Sequence, residues 1–248
     1  MNPHYPRPWL RGQALKSFHR LLDKYDLGLV RRLPPGPPPS LEGLDWPRKG
    51  ETMIGLKRMD NLQFCVEEVL KNGVPGDLIE TGVWRGGATI FMRAILMAYE
   101  VKDRLVWVAD SFQGLPKPNV ELYPEDKDDP FYQYDHLRVS LEQVQANFQK
   151  YGLLDEQVRF LKGWFKDTLK DAPIERLAVL RLDGDMYEST MDALKHLYPR
   201  LSPGGFVIID DYMLDNCRAA VTDFRAAQGI TEEIVPIDWA GVYWKRTS

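Results

Sequence analysis

Cysteine is scarce in this 248-residue chain, which has only Cys65 and Cys217. Both fall in helix-patterned stretches, and neither stands in a CxxC or other metal-ligand spacing. A disulfide framework and a thiolate metal centre are therefore not indicated, and the two read as small buried hydrophobes. Long apolar runs are missing as well, none approaching the roughly 18 residues of a membrane-spanning helix. Met1 to Gly12 lacks the apolar segment of a signal peptide, which sets the expectation of a cytoplasmic protein with no membrane partner. Positive charge is not in excess: the formal net charge is −4, and no global basic field attracts nucleic acid. Histidine is sparse too, and His4, His19, His136 and His196 show no ligand spacing to one another.

What is present is ordinary globular composition, 44% hydrophobic and 27% charged, in a chain long enough to bury one sizeable core. We expect residues 1–50 to form a helical arm with a proline-rich connector, and residues 51–248 a single domain. Helix-like alternation from Leu15 to Val30 runs into Pro34-Pro35-Gly36-Pro37-Pro38-Pro39. Proline there fixes φ and removes a donor, so Pro34 to Ser40 reads as extended. Ile54, Leu56, Met59, Leu62, Cys65, Val66, Val69 and Leu70 recur at helical spacing, with a stop at Gly73 and Pro75. Beyond it, apolar runs at Asp77–Thr81, Leu105–Asp110, Val158–Leu161, Leu177–Asp183 and Phe206–Asp210 alternate with helical stretches. Those stretches are Gly86–Val101, Leu137–Tyr151, Tyr187–Leu201 and Asn216–Gln228. Such alternation predicts an α/β fold with a mostly parallel sheet covered on both faces. Glu233–Ile237 and Gly241–Lys245, joined by Asp238-Trp239-Ala240, predict a closing antiparallel hairpin.

Chemistry concentrates at the strand ends. The first strand leads into Glu80-Thr81-Gly82-Val83-Trp84-Arg85-Gly86-Gly87-Ala88-Thr89, where glycines permit a close ligand approach or simply a tight turn. A dinucleotide fingerprint would place glycine at position 84. Tryptophan stands there, which suits a ligand without a pyrophosphate. The second strand ends in Asp110-Ser111-Phe112, and a carboxylate at that tip is placed to accept both hydroxyls of a ribose or, more plainly, to cap a turn. Asp183, Asp185, Asp210 and Asp211 fall together at the ends of two later strands. Unpaired, they would raise one another's pKa. A hard divalent cation such as Mg²⁺ relieves that repulsion and can acidify a substrate hydroxyl; caps and salt bridges are the plainer account for some of the four. Tyr123 to Pro130 is acidic and proline-bounded, either a lid over the substrate or a solvated loop, and His136 beside it is a candidate base. Lys162-Gly163-Trp164-Phe165, after the third strand, offers its aromatics to an adenine ring or to the core.

With these motifs together the chain resembles the macrocin O-methyltransferase family, which methylates deoxysugars on macrolide and aminocoumarin natural products. The resemblance covers about residues 50–247. It is carried by Thr52-Met53-Ile54-Gly55-Leu56-Lys57-Arg58-Met59-Asp60-Asn61-Leu62 and by the segment from Glu80 to Gly87. It is carried further by Leu182-Asp183-Gly184-Asp185-Met186-Tyr187-Glu188-Ser189-Thr190, by Ile209-Asp210-Asp211-Tyr212, and by Ile237-Asp238-Trp239-Ala240-Gly241-Val242-Tyr243-Trp244.

The resemblance implies a class I methyltransferase fold, Rossmann-like and doubly wound, with a seven-stranded sheet ending in an antiparallel hairpin. It implies S-adenosylmethionine over the loop bearing Glu80, Thr81, Gly82, Val83, Gly86, Ala88 and Thr89. Asp110 would hold the ribose, with Ser111 and Phe112 beside it, and Gly163 and Trp164 would flank the adenine. Thr52 and Met53 would lie near the methionine end, with Asp183 also in reach. It further implies Mg²⁺ held by Asp183, Asp210 and Asp211, and a general base in Asp185 or in Asp183 itself. The substrate would be a small glycoside and the protein a homo-oligomer. Two other readings are open. A NAD-dependent oxidoreductase on a Rossmann sheet would need a second glycine near position 84 and leaves the four aspartates unexplained. A non-catalytic module that kept the fold would bind no cofactor.

Overall fold

The computed structural model describes residues 39–44 and 47–247. The helix expected over Leu15–Val30, and with it most of the arm, lies outside them. The first described element, α1 (Pro39–Glu42), is a single helical turn where an extended connector was expected through Ser40. Proline is tolerated at the first helical position because its missing N–H has no intrahelical partner there anyway. Next comes α2 (Gly55–Lys71), which buries Leu62, Cys65, Val66 and Val69 along one stripe, as the apolar spacing requires.

Strands and helices then alternate: β1 (Asp77–Thr81), α3 (Gly87–Ala98), β2 (Val106–Asp110), α4 (Leu141–Lys150) and β3 (Val158–Lys162). They continue as α5 (Phe165–Thr168), β4 (Leu177–Leu182), α6 (Tyr187–Leu197), β5 (Leu201–Ile209), α7 (Asp215–Gln228), β6 (Val235–Pro236) and β7 (Val242–Lys245). The seven strands form one sheet in the order β3-β2-β1-β4-β5-β7-β6. The first five are parallel, and β7 inserts antiparallel between β5 and β6. Order reverses between β1 and β4, which opens a crevice beyond the carboxyl ends of those two strands.

Adjacent residues of one strand feed opposite layers. Leu78, Val106, Val179 and Phe206 pack under α2 and α3, whereas Ile79, Trp107, Leu180 and Val207 pack under α6 and α7. Strands buried on both faces are apolar throughout for this reason. A smaller cluster joins α4 to the β2–β3 side through Val144, Phe148, Val108 and Val158. Three boundaries differ from the expected ones by four residues or more. α6 stops at Leu197, Pro199 sits in a 3₁₀ turn over Tyr198–Arg200, and β5 begins at Leu201 rather than at Phe206. α4 begins at Leu141 rather than Leu137, with Ser140 Oγ accepting from Gln143 N at 3.2 Å as its cap. α5 was not expected. No described helix is long and apolar enough to cross a membrane.

Candidate active site

A cavity of about 360 Å³ lies at the carboxyl ends of β1, β2, β4 and β5. Of the residues expected at the cofactor, Thr52, Met53, Glu80, Gly82, Val83, Ala88, Asp110, Ser111, Trp164 and Asp183 line it. Thr81, Gly86, Thr89, Phe112 and Gly163 stand behind its wall. Thr81 and Thr89 are buried, and the Thr89 hydroxyl donates to the Gly86 carbonyl at 2.8 Å. Gly86 is the left-handed N-cap of α3, and Phe112 packs on Phe160. Gly163 donates its N–H to the Asp110 carbonyl at 2.9 Å.

At the tip of β2, Asp110 Oδ2 accepts from Val83 N at 2.8 Å and Oδ1 from Phe112 N at 2.6 Å. The turn-capping reading is thus realised, and Asp110 also joins the β1 loop to the β2 loop on the cavity wall. Burial pushes its pKa up, against those N–H bonds. Trp84, Phe112 and Asp185 all have left-handed φ, at 47°, 57° and 55°. Strained positions of this kind cluster where a site is held in shape. Trp84 takes the conformation a glycine would adopt easily. It is fixed by its indole N–H to the His136 carbonyl at 2.9 Å and by the Arg85 guanidinium 4.1 Å over its ring.

The acidic cluster is assembled by two arginines that the motif reading passed over. Arg181, 1% exposed on β4, reaches Glu80 and Asp183 with Nη1 and Asp210 with Nη2. Arg58, on α2, reaches the other oxygen of Asp210 with Nη1 and Asp238 with Nε. A charged residue inside an apolar run is the signal that could have found Arg181, since a lone buried charge requires partners. The Oε2 atom of Glu80 is buried without a partner. Burial pushes Glu80 up to about 8, although the Arg181 guanidinium pulls the other way.

Oxygens of Asp183, Asp210 and Asp211 lie within 4.8 Å of one another. Asp185 stands beside them, its N–H donating to Asp211 Oδ2 at 3.1 Å. Asp210 is pushed up to about 6 by burial, against Arg181. Burial, and then the neighbouring carboxylates, hold Asp185 and Asp211 well above the usual range. Among the described residues no ion pair reaches either of them. Hard oxygen donors with surplus negative charge are the set a divalent cation suits, so the residues present fit Mg²⁺.

No residue of the acidic segment Tyr123–Pro130 lines the cavity, whereas Phe131 and Leu137, just beyond it, do. Trp164 is half-buried on that lining rather than in the core. Phe165 faces the cavity and packs on the core as well. His136 is exposed, stacked on Tyr134 at 5.5 Å, and does not line the cavity.

Sheet order and the switch-point cavity define a class I S-adenosylmethionine-dependent methyltransferase. The chain belongs to the macrocin O-methyltransferase family, whose model matches residues 26–246. It is similar to the 8-demethyl-8-(2,3-dimethoxy-alpha-L-rhamnosyl)-tetracenomycin-C 4'-O-methyltransferase of Streptomyces olivaceus, at 60% identity over 86% of this chain and 82% of that protein. It is 61% identical to the mycinamicin III 3''-O-methyltransferase of Micromonospora griseorubida, over 83% of this chain and 82% of that protein. The solved structure of the O-methyltransferase NovP matches with a TM-score of 0.83 at 57% identity, covering 85% of this chain and 88% of that one. The protein is therefore an O-methyltransferase, and the nicotinamide and non-catalytic readings fall away.

Proposed function

We propose that this enzyme moves the methyl group of S-adenosylmethionine to a sugar hydroxyl of a glycosylated natural product, with Asp183, Asp210 and Asp211 holding Mg²⁺. The observation that carries this is the convergence of three carboxylates within 4.8 Å on the lining of the cofactor cavity. Two relatives are named for methylating glycosides, which supports the acceptor class. Trp239 and Met213, 47% and 44% exposed on the cavity lining, offer apolar surface to such an acceptor.

When bound, the divalent cation supplies Lewis acidity that lowers the pKa of a hydroxyl. The chain's own groups do the remainder. Asp110 keeps lone pairs for the ribose, Trp164 offers its ring to the adenine, and Thr52 and Met53 lie toward the methionine end. Asp185 is our choice as the group that takes the hydroxyl proton, because it stands beside the three carboxylates without being one of the proposed cation ligands; Asp183 is the alternative. Holding the hydroxyl oxygen in line with the sulfonium methyl supplies most of the acceleration, and proton removal adds roughly 10²–10⁴-fold. Homo-oligomeric assembly belongs to this reading and rests on the family resemblance alone.

The test is transfer of labelled methyl from S-adenosylmethionine to mycinamicin III and to the tetracenomycin rhamnoside, with and without chelator. Asp183→Asn should abolish turnover and Mn²⁺ binding while S-adenosylmethionine still binds by calorimetry. Full turnover in that variant removes the metal role, and no methylated product from either glycoside counts against the acceptor class.

A further inference from the structure

We infer that Asp126, in the acidic loop after β2, is a positioning residue that fixes the acceptor side of the cavity. Asp126 is fully buried, although Glu125, Lys127 and Asp128 around it are exposed. Its carboxylate accepts from Tyr187 N at 2.7 Å and from Glu188 N at 3.0 Å. These are first-turn N–H groups of α6, which lack intrahelical partners by construction. The residue at the N-cap of α6, Met186, has no side-chain cap to give. A loop distant in sequence therefore caps the helix, and its negative charge meets the positive end of the helix dipole.

The placement matters because of what α6 follows. The segment Asp183-Gly184-Asp185-Met186 leads directly into it, and Asp185 is held at positive φ. Asn216 on α7, just beyond Asp210 and Asp211, donates to Asp126 at 3.0 Å and to Asp129 at 3.2 Å. One carboxylate thus ties the loop to both segments that carry the acidic cluster. The same loop brings Phe131 and Leu137 to the cavity. Its far end is fixed independently by the Trp84–His136 bond on the cofactor side. Loss of Asp126 should therefore loosen the acceptor side and leave the cofactor side in place. This rests on the methyl-transfer reading above.

The experiment compares Asp126→Ala and Asp126→Asn with wild type, using Asp128→Ala as control because that side chain is 89% exposed. Measured quantities are kcat and KM for mycinamicin III, calorimetric affinity for S-adenosylmethionine, and deuterium uptake over residues 120–137 and 184–190. We expect Asp126→Ala to lower kcat/KM about tenfold or more, the scale of a small misplacement of reacting groups, with S-adenosylmethionine affinity unchanged and uptake raised in both segments. Asp126→Asn, which still caps but with one acceptor oxygen, should fall between, and Asp128→Ala should match wild type. Wild-type kcat/KM in Asp126→Ala overturns the inference. So does equal loss of cofactor affinity and turnover, the mark of a merely structural role. If wild type methylates no glycoside, the acceptor reading fails by itself; the exchange data still decide, and unchanged uptake over 120–137 in Asp126→Ala would refute the positioning role of Asp126.

Discussion

Arg181 is a buried cation facing more negative charge than it can balance. Its Nη1 meets Glu80 and Asp183 and its Nη2 meets Asp210, so the planar fork serves separate carboxylates at once, which a lysine ammonium does not do with the same geometry. Arg58 completes the arrangement from α2 by taking the second oxygen of Asp210 and by fixing Asp238. Asp238 in turn accepts from Ala240 N at 2.9 Å and Gly241 N at 2.7 Å, shaping the turn that presents Trp239. Removing one partner of a buried ion pair leaves the others uncompensated, at a cost of about 3–5 kcal/mol. Arg181→Met should lose that much stability in urea denaturation at neutral pH, and Arg181→Lys should recover part of it. A loss below about 1 kcal/mol would mean that the carboxylates simply take up protons when the guanidinium leaves. Burial already pushes Glu80 toward that state.

At the level of elements, the site is an extension of the strand ladder. Gly82 N donates to the Ala109 carbonyl, Asp183 N to the Thr81 carbonyl and Asp210 N to the Leu182 carbonyl, each at 2.9 Å. Gly82 has φ 83°, and a Cβ there would overlap the Asp183 carbonyl oxygen. The glycine is thus required by the approach of one loop backbone to another, whatever ligand lies above. Gly82→Ala should push the cofactor loop and Asp183 apart, weakening S-adenosylmethionine and Mn²⁺ binding together in calorimetric titrations and costing about 1–3 kcal/mol of stability. Loss of cofactor binding with Mn²⁺ binding intact would place the requirement in ligand approach instead. The parallel strands and their aspartate tips are legible in the sequence because an apolar run ending in Asp needs no long-range information: β2 (Val106–Asp110) lies within one residue of the run Leu105–Asp110. The start of β5 is not legible, because Leu201-Ser202-Pro203-Gly204-Gly205 reads as a turn and only the pairing of Leu201 with Leu177 on β4 overrides it. Asp126 is hidden for the same reason. Nothing local separates it from Asp128, and its partners stand 61 and 62 residues away.

Over the whole molecule, the two helical layers share one sheet, and the two cysteines report on them separately. Cys65 on α2 packs with Leu78, Val106 and Val179; Cys217 on α7 packs with Ile79, Leu180 and Val207. Both thiols are buried, at 0% and 1% exposure, and burial pushes both pKa values up. Only the thiolate attacks a labelling reagent, so each must wait for its layer to open. Neighbouring residues of β1 and β4 serve opposite layers, so peeling off either layer exposes strands that the other layer also needs. The expected result is one opening event. Each thiol, followed in Cys65→Ala and Cys217→Ala single-cysteine variants, should label at the same rate, with the denaturant dependence of global unfolding. Faster labelling of Cys217 would instead make α7 a separate cooperative unit, able to leave the Asp210–Asp211 side of the site while α2 and Arg58 stay folded.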